Sequence, residues 1–377
     1  MSPPGALRRL LSNLGLALAS LAFCFLAGEI ALRAIGYAPL RQRPIYRVSD
    51  KGDLEIRENA TILDCYSSNP RGYFQLDLRQ PATREAWARR GLRDLEKVAQ
   101  SYPFCVEFAY NGLGFREKQV GPKPAGARRV AFVGDSFTEA MGIRESDGYV
   151  RVVERLLNRP GGSAWETRNF GRRGYDFPAL LESFELALAA EPDVVVYAMV
   201  LNDGDRSQAL DRRWPRLDDW VMVRRPIAAP GPLDSRLLTL VGERYEAFRI
   251  SRDTVSWYRA LYSEEQNRDG WERTRAHLRR MRGECRGHGV RFMVALWPLI
   301  VGLDGRYPLE DVHARLGGEL ERLRIPHVDL LPALRGRSSE ALAVHPADLH
   351  PNELGHTLAA AAIAPAIEKL MQTPVRP

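Results

Sequence analysis

The sequence has few of the residues that build metal sites or nucleic-acid surfaces. Its 377 residues include four cysteines and seven histidines. No two histidines are four residues apart on a predicted helix, which is the spacing of helical zinc sites. Basic residues are not interleaved with aromatic ones, so nucleic acid is excluded as a partner. Internal repeats are also absent, and no metal or organic cofactor is predicted.

The composition is that of a folded globular protein. Hydrophobic residues make up 45% of the chain and charged residues 27%. The formal net charge of +7 comes largely from scattered arginines. We interpret these arginines as a solvated surface. The alternative is attraction to an anionic membrane surface or an acidic polysaccharide.

One long apolar run lies near the N-terminus. From Leu10 to Gly28 the chain carries no charge, and this length is close to the roughly 20 residues that a membrane-spanning helix needs. Arg8 and Arg9 precede the run, as expected for a cytoplasmic flank. Long domains translocate largely regardless of the charge that follows. The sequence therefore predicts a cytoplasmic tail and single-pass inner-membrane anchor over residues 1–36, with the remainder in the periplasm.

Three other interpretations of this run are less consistent with the residues. A cleaved signal peptide should end in a small-residue site, but Glu29 and Arg33 interrupt that region and no clean Ala-x-Ala site follows. A lipoprotein signal is disfavoured because Phe23 precedes Cys24. A buried core helix is disfavoured because the run is too long and too apolar.

Residues 37–125 are rich in proline, arginine and aromatic residues and predict an irregular connecting region. Within it, residues 84–99 are amphipathic and are expected to form a helix. Cys65 and Cys105 also lie in this region. They can form a disulfide if the region is exported, or they can remain two thiols.

From residue 126 to 377, apolar β-branched segments alternate with amphipathic ones. This alternation predicts an α/β fold of the flavodoxin-like type, a three-layer α/β/α sandwich around a five-stranded parallel sheet. The predicted strands are Arg129–Val133, Trp165–Phe170, Asp193–Val200, Val290–Leu296 and His327–Leu331. Residues 204–262 form an insertion after the third strand, with helices expected at Ser235–Tyr245 and Arg252–Tyr262.

Three short motifs supply residues suited to ester chemistry, namely Gly134–Phe137, Asn202-Asp203 and Asp348–Pro351. Ser136 follows the first strand in the sequence Gly-Asp-Ser-Phe, and Asp348 and His350 lie near the C-terminus. A serine needs a base to become a nucleophile, and the base needs a partner that holds its tautomer. Ligands bind at the carboxyl ends of parallel strands. We therefore predict that Ser136, His350 and Asp348 act there as nucleophile, general base and orienting acid.

The same edge of the sheet should supply donors to an oxyanion. Ser136 would stand at a helix N-terminus, where backbone N–H groups point outwards. Gly174, chosen over Gly171, follows the second strand, and a glycine lets its N–H approach a ligand closely. Asn202 ends the third strand and carries a neutral amide donor.

Each motif also has a simpler interpretation. Gly-Asp-Ser and the pair Asn202-Asp203 are common turn sequences, and Gly174 can be an ordinary loop glycine. Asp348 with the nearby histidines can be interpreted as a zinc site, although no metal-ligand spacing is evident. These histidines are His345, His350 and His356.

Taken together, the motifs resemble the SGNH (GDSL-type) hydrolase superfamily over about residues 128–370. The four letters of the name correspond to Ser136, Gly174, Asn202 and His350, in the family's order. The commonest position of the acid is three residues before the histidine, which here is Ala347. Asp348 is two before it, as in a branch similar to alginate-acetylating enzymes.

Two further stretches resemble a bacterial group of membrane-tethered SGNH proteins. They are Gly28–Arg33 (GEIALR) at the end of the apolar run and Asn111–Arg116 (NGLGFR) before the serine. That group is often associated with surface polysaccharide systems. The resemblance therefore implies a location at the envelope more than a particular substrate.

The resemblance implies a serine esterase or deacetylase that acts on acyl esters, O-acetyl esters in particular, without a cofactor. An O-acyltransferase would use the same residues with a sugar hydroxyl as acceptor. A non-catalytic envelope scaffold that retains the fold is the alternative of a different class. The partners implied are an acylated carbohydrate or other ester and the membrane, while the sequence leaves the oligomeric state open.

Overall fold

The computed structural model describes residues 4–37, 45–51, 58–160, 162, 164–214, 234–346 and 348–372. The chain divides into two compact units. The first comprises residues 1–43 and 223–253, and the second comprises residues 44–222 and 254–377. The sequence-based division at residues 36 and 125 stays a prediction.

The elements follow one another along the described chain. The first part holds α1 (Pro4–Ala34), β1 (Ile45–Ser49), β2 (Thr61–Tyr66), β3 (Leu76–Asp77), α2 (Pro81–Ala88), α3 (Leu95–Ser101) and β4 (Phe104–Ala109). The middle part holds β5 (Arg128–Gly134), α4 (Ser136–Glu139), a 3-10 turn (Glu145–Asp147), α5 (Tyr149–Leu157), β6 (Trp165–Gly171), α6 (Leu180–Ala189), β7 (Val194–Val200) and α7 (Gln208–Arg213). The last part holds α8 (Arg236–Leu261), α9 (Arg268–Gly287), β8 (Arg291–Trp297), α10 (Glu310–Arg322), β9 (His327–Asp329), α11 (Leu331–Leu334), α12 (Ser339–Leu342), β10 (Ala343–His345), β11 (Asp348–Pro351) and α13 (Glu353–Gln372).

Five parallel strands form the central sheet, in the order β6-β5-β7-β8-β9. Every residue of β7, whose sequence is VVVYAMV, is buried. Such a strand needs cover on both faces of the sheet. Two helix pairs provide it, because α5 packs against α13, α6 packs against α9, and each pair contacts the sheet. The predicted α/β fold with a five-stranded parallel sheet is confirmed.

Four strands within residues 45–109 form an antiparallel sheet, the accessory sheet, in the order β1-β2-β4-β3. An irregular connecting region was predicted for residues 37–125, and this prediction is wrong for the strands β1–β4 and the helices α2 and α3. Strand β2 alternates between two environments, as a period of two requires. Leu63 and Cys65 face the cluster that contains Trp87 of α2, whereas Ile62 and Tyr66 belong to a separate buried cluster.

That second cluster joins the accessory sheet to the central domain. It includes Ala140 and Ile143, which follow the serine motif, and Val344 on β10. Ile62 and Tyr66 are fully buried in it. The accessory sheet is therefore packed between its own short helices on one face and the loops at the carboxyl edge of the central sheet on the other.

Two helix predictions need correction. The amphipathic stretch 84–99 is not one helix, because Gly91 and Asp94 adopt left-handed conformations (φ of 94° and 57°) between α2 and α3. A left-handed residue ends an α-helix. In the insertion, the two expected helices are one continuous helix, α8. Residues 215–233 of the insertion lie outside the described residues.

Helix α1 is the one described helix that is long and apolar enough to cross a membrane, over Leu11–Ala34. Its side chains there are largely exposed. The charged Glu29 near the end of α1 is an exception, because it contacts the first residues of α8. The Glu29 carboxylate accepts hydrogen bonds from the Ser235 hydroxyl at 2.8 Å and from the N–H groups of Arg236 and Leu237 at 3.0 Å. Glu29 therefore caps the N-terminus of α8, where a negative charge is favourable.

The Cys65–Cys105 disulfide should stabilise the accessory sheet. It joins directly paired positions of β2 and β4 that are 40 residues apart. The chain-entropy model assigns about 3–4 kcal/mol to a loop of this length. We expect the free energy of unfolding of the Cys65→Ala/Cys105→Ala variant to be lower by about that amount. The variant should therefore unfold at a lower urea concentration. Cys24→Ala, a change at an exposed free cysteine, is the control and should leave the midpoint unchanged. Finding four titratable thiols in the denatured, unreduced protein from an oxidising compartment would contradict the disulfide.

Candidate active site

Ser136 lies at the carboxyl end of the first strand of the central sheet and is the first residue of α4. Asp135 caps this short helix, because its Oδ1 atom accepts a hydrogen bond from the N–H of Phe137 at 2.9 Å. Gly134 permits the tight turn, since a Cβ atom there would lie 2.9 Å from the carbonyl oxygen of Ala198 on β7. The Gly-Asp-Ser sequence is thus a strand-to-helix turn that presents the serine hydroxyl.

His350 reaches Ser136 from the C-terminal hairpin of β10 and β11. Its Nε2 atom is 2.8 Å from the Ser136 hydroxyl oxygen, and its Nδ1 atom is 2.5 Å from Oδ1 of Asp348. The Phe137 ring packs edge-on against the imidazole, with centroids 5.5 Å apart. Three side chains predicted from widely separated motifs therefore form one hydrogen-bonded chain.

Asp348 is only 1% exposed and has donors on both oxygens. Oδ1 also accepts from the His350 N–H at 3.2 Å, and Oδ2 accepts from the Tyr66 hydroxyl at 2.8 Å. Burial opposes ionisation, but the nearby His350 and the hydrogen bonds from His350 and Tyr66 outweigh it, so the pKa of Asp348 lies below its usual value. The carboxylate is therefore ionised at neutral pH.

The loop after β6 approaches the serine helix closely. A Cβ atom on Gly171 would lie 2.5 Å from the N atom of Glu139, so this glycine is required by packing against α4. Gly174 has open space around it but a left-handed backbone (φ of 77°), which favours glycine for a different reason. The N–H of Arg172 donates to the carbonyl of Gly134 at 3.0 Å and ties this loop to the serine turn.

Asn202 lies beyond β7 and faces the serine turn. Its Nδ2 atom is 3.4 Å from Oδ2 of Asp135, and the Ser136 hydroxyl is also 3.4 Å from that oxygen. Burial raises the pKa of Asp135 to about 6, although the N–H of Phe137 opposes the shift. The neighbouring Asp203 accepts from the Tyr197 hydroxyl and the Val200 N–H, so it stabilises the end of β7.

The other two histidines of the C-terminal motif have different partners. His345 Nε2 is 2.8 Å from the Ser68 hydroxyl. His356 Nδ1 accepts from the N–H of Tyr149 at 3.0 Å. Within the described ranges, no group of three or more histidine, cysteine or acidic side chains is arranged to hold a metal ion.

Tyr66 and Asp135 are the neighbours of the site that sequence reasoning missed. Asp135 lies inside the serine motif, so its position was available, but a sequence does not show that its carboxyl is buried. Tyr66 is 282 positions from Asp348. No local pattern connects them, because the contact depends on how the accessory sheet packs.

A parallel sheet that presents a serine to a histidine at the carboxyl end of its first strand has the architecture of SGNH-type ester hydrolases. The chain belongs to the GDSL-like lipase/acylhydrolase family, whose model matches residues 132–358. It is accordingly a hydrolase of ester bonds. A comparison of the sequence with curated proteins finds no match.

Several solved structures are similar to part of this chain. TesA is 15% identical, with a TM-score of 0.41, and the match covers 64% of this chain and 99% of TesA. Axe2, an acetylxylan esterase from Geobacillus stearothermophilus, is 16% identical, with a TM-score of 0.39 and coverage of 69% and 99%. An alpha/beta hydrolase from the metagenome of Lake Arreo, Spain, is 15% identical, with a TM-score of 0.40 and coverage of 67% and 99%.

The buried His356 should make stability depend on pH. Burial, together with the nearby His350 and Arg116, lowers its pKa from 6.5 to about 3. The unfolded chain therefore binds a proton that the folded protein excludes, and stability is lost as pH falls below about 6.5. Relative to His356→Gln, which keeps an acceptor for the Tyr149 N–H, the wild-type free energy of unfolding should fall by about 2 kcal/mol more between pH 7 and pH 5. Equal pH dependence in urea unfolding of the two proteins would contradict this assignment.

Proposed function

We propose that the protein is a serine esterase in which Ser136, His350 and Asp348 form a catalytic triad. The observation that carries the proposal is the 2.8 Å distance between His350 Nε2 and the Ser136 hydroxyl oxygen. With Nδ1–H donating to Asp348, Nε2 is left as an acceptor for the serine proton. The ionised Asp348 then stabilises the imidazolium that forms.

The proposed reaction has two halves. Ser136 Oγ attacks the ester carbonyl carbon while His350 Nε2 takes the hydroxyl proton, and a tetrahedral oxyanion forms. The oxyanion collapses to an acyl-enzyme as His350 returns the proton to the leaving alcohol. Water then attacks the acyl group, with His350 again accepting and returning the proton, and Ser136 is released with the free acid.

We assign the oxyanion donors to the N–H groups of Ser136 and Gly174 and to the side-chain amide of Asn202. Ser136 opens α4, whose N-terminal N–H groups favour negative charge. Close packing against α4 explains why residue 171 is a glycine. The surroundings of Gly174 are open, so packing does not require a glycine there, and this difference supports Gly174 as the second donor. The Asn202 amide is within 3.4 Å of Asp135 beside the serine, so a small rotation would direct it to the reacting carbonyl.

Replacement of Ser136 by alanine should abolish hydrolysis without unfolding the protein. Loss of a serine nucleophile lowers kcat by about 10⁴-fold or more in comparable triads. The measurement is turnover of a p-nitrophenyl acetate substrate, with circular dichroism as the check on folding. Ser183→Ala, which removes a buried hydroxyl on α6, is the matched control and should retain activity. Unchanged hydrolysis by Ser136→Ala would remove this serine from the mechanism.

Two related experiments separate the alternative functions. An organophosphonate should add one adduct at Ser136, whereas a non-catalytic scaffold would not react. Product analysis with an acyl donor and an acetylated or unacetylated glycan distinguishes water from a sugar hydroxyl as the acceptor. We propose O-acetyl esters of envelope carbohydrate as the substrate class, on the basis of the predicted extracytoplasmic position of the domain.

We also propose that residues 1–36 are an uncleaved inner-membrane anchor and that the hydrolase domain lies in the periplasm. The exposed apolar surface of α1 supports this, and so does the cap that Glu29 provides to α8. A signal peptidase cut on the C-terminal side of Glu29 would separate this carboxylate from the helix that it caps.

The intact protein should therefore remain in the membrane fraction after alkaline carbonate extraction. Its mass should be that of the full 42.5 kDa chain, and protease added to spheroplasts should digest the hydrolase domain. A variant that starts after residue 36 behind a cleavable signal peptide is the control and should be recovered as soluble periplasmic protein. A mature wild-type chain lacking the apolar run would instead identify a signal peptide.

A further inference from the structure

We propose that Tyr66 of the accessory sheet is a positioning residue for the esterase reaction, because its hydroxyl holds the oxygen of Asp348 that His350 does not use. The inference depends on the proposed function of Ser136, His350 and Asp348. It assigns to the segment before the family domain, which begins at residue 132, a direct part in organising the site.

The geometry at Asp348 leaves each oxygen with its own partners. Oδ1 receives Nδ1 of His350 at 2.5 Å, and Oδ2 receives the Tyr66 hydroxyl at 2.8 Å. Both Tyr66 and Asp348 are at most 1% exposed, so water does not compete for this hydrogen bond. A carboxylate held at both oxygens cannot rotate about its Cβ–Cγ bond, and the His350 ring is thereby kept directed at Ser136.

Tyr66 is itself rigidly held. It ends β2, where it is paired with Ile45 of β1 and Phe104 of β4. Its ring stacks on Phe74, with centroids 4.5 Å apart and planes 11° from parallel. Gly142 leaves room for the hydroxyl, since a Cβ atom there would lie 2.7 Å from it. The adjacent Cys65–Cys105 disulfide further restrains the end of the strand.

The same strand also reaches the loop that carries Gly174. Asp64, two residues before Tyr66, accepts from Nη1 of Arg173 at 2.6 Å. The Nε atom of Arg173 donates to Glu139 at the end of α4, also at 2.6 Å. Strand β2 therefore contacts the acid of the proposed triad and the residue before the proposed oxyanion glycine. This double contact is what a scaffold for the site requires.

Burial, together with the charge of Asp348, raises the pKa of Tyr66 well above its usual value, so the phenol stays a neutral donor. Other titratable or charged groups also face this pair and His350. They are Asp64, Arg173, His345, Asp135 and His356. None of them changes in the substitutions below, so a difference between variants reports the tyrosine hydroxyl.

The first test is Tyr66→Phe in the full-length protein. Loss of one hydrogen bond to a charged group corresponds to about a tenfold to hundredfold fall in kcat, with KM within about twofold of wild type. Without the hydrogen bond from Tyr66, the Asp348 carboxylate would stabilise the imidazolium more strongly. The acid limb of the kcat/KM profile should therefore move to higher pH. Tyr73→Phe is the matched control, because Tyr73 donates to Asp147 outside the site. It should leave kcat and the pH profile unchanged.

A double-mutant cycle shows whether Tyr66 acts through the carboxylate. In an Asp348→Asn background, Tyr66→Phe should lower kcat by less than about twofold, because the partner is already altered. A full additive loss would overturn the proposal. A wild-type kcat and acid limb in Tyr66→Phe alone would also overturn it.

Site-specific 3-fluorotyrosine at position 66 is a second variant that keeps the ring and the hydroxyl, so folding should be preserved. The fluorinated phenol is a stronger donor to Asp348, and the acid limb should move to lower pH, opposite to the phenylalanine variant. An unmoved limb contradicts the inference. Wild-type turnover that depends on Ser136 is measured first, because its absence would refute the proposed esterase rather than the role of Tyr66.

Discussion

The buried carboxylate of Asp348 is the constraint on which the arrangement of the site depends. An ionised carboxyl group that is almost fully excluded from water must receive hydrogen bonds on both oxygens, or the folded state is strongly destabilised. His350 satisfies one oxygen and Tyr66 the other. The two donors come from the C-terminal hairpin and the accessory sheet, so these parts must pack together before the carboxylate can be buried.

Close backbone approach is the second requirement. The serine turn is fitted between β6 and β7, and glycines at positions 134 and 171 allow this because any side chain would collide with neighbouring atoms. The Asn169 side-chain amide of β6 donates to the carbonyl of Thr138 at 2.8 Å and holds the short helix α4 against that strand. Dense packing and satisfied polar groups together give the Ser136 hydroxyl a defined direction, as its proposed role as nucleophile requires.

The central sheet and the main residues of the site were predictable from the sequence because their signals are local. Strands such as β7 are nearly uninterrupted apolar runs, and amphipathic helices separate them, so the parallel α/β fold follows from periodicity. Ser136, Asn202 and His350 each follow a strand or lie in a short motif. Strands of the accessory sheet are only two to six residues long, and β3 and β4 are separated by two helices. Such short segments carry little periodicity, which led to the prediction of irregular chain.

The apolar N-terminal helix, the alternation of strands and helices after residue 126, and the serine, histidine and aspartate of the proposed triad were predictable from the sequence alone. Each of these follows from side-chain patterns within a few neighbouring residues. The folded structure was needed to show that Tyr66 donates to Asp348, that Asp64 pairs with Arg173, and that the buried His356 accepts from the Tyr149 N–H. Hydrogen-bond partners in a folded core are chosen by distance in space, and residues separated by hundreds of positions carry no local mark of their pairing.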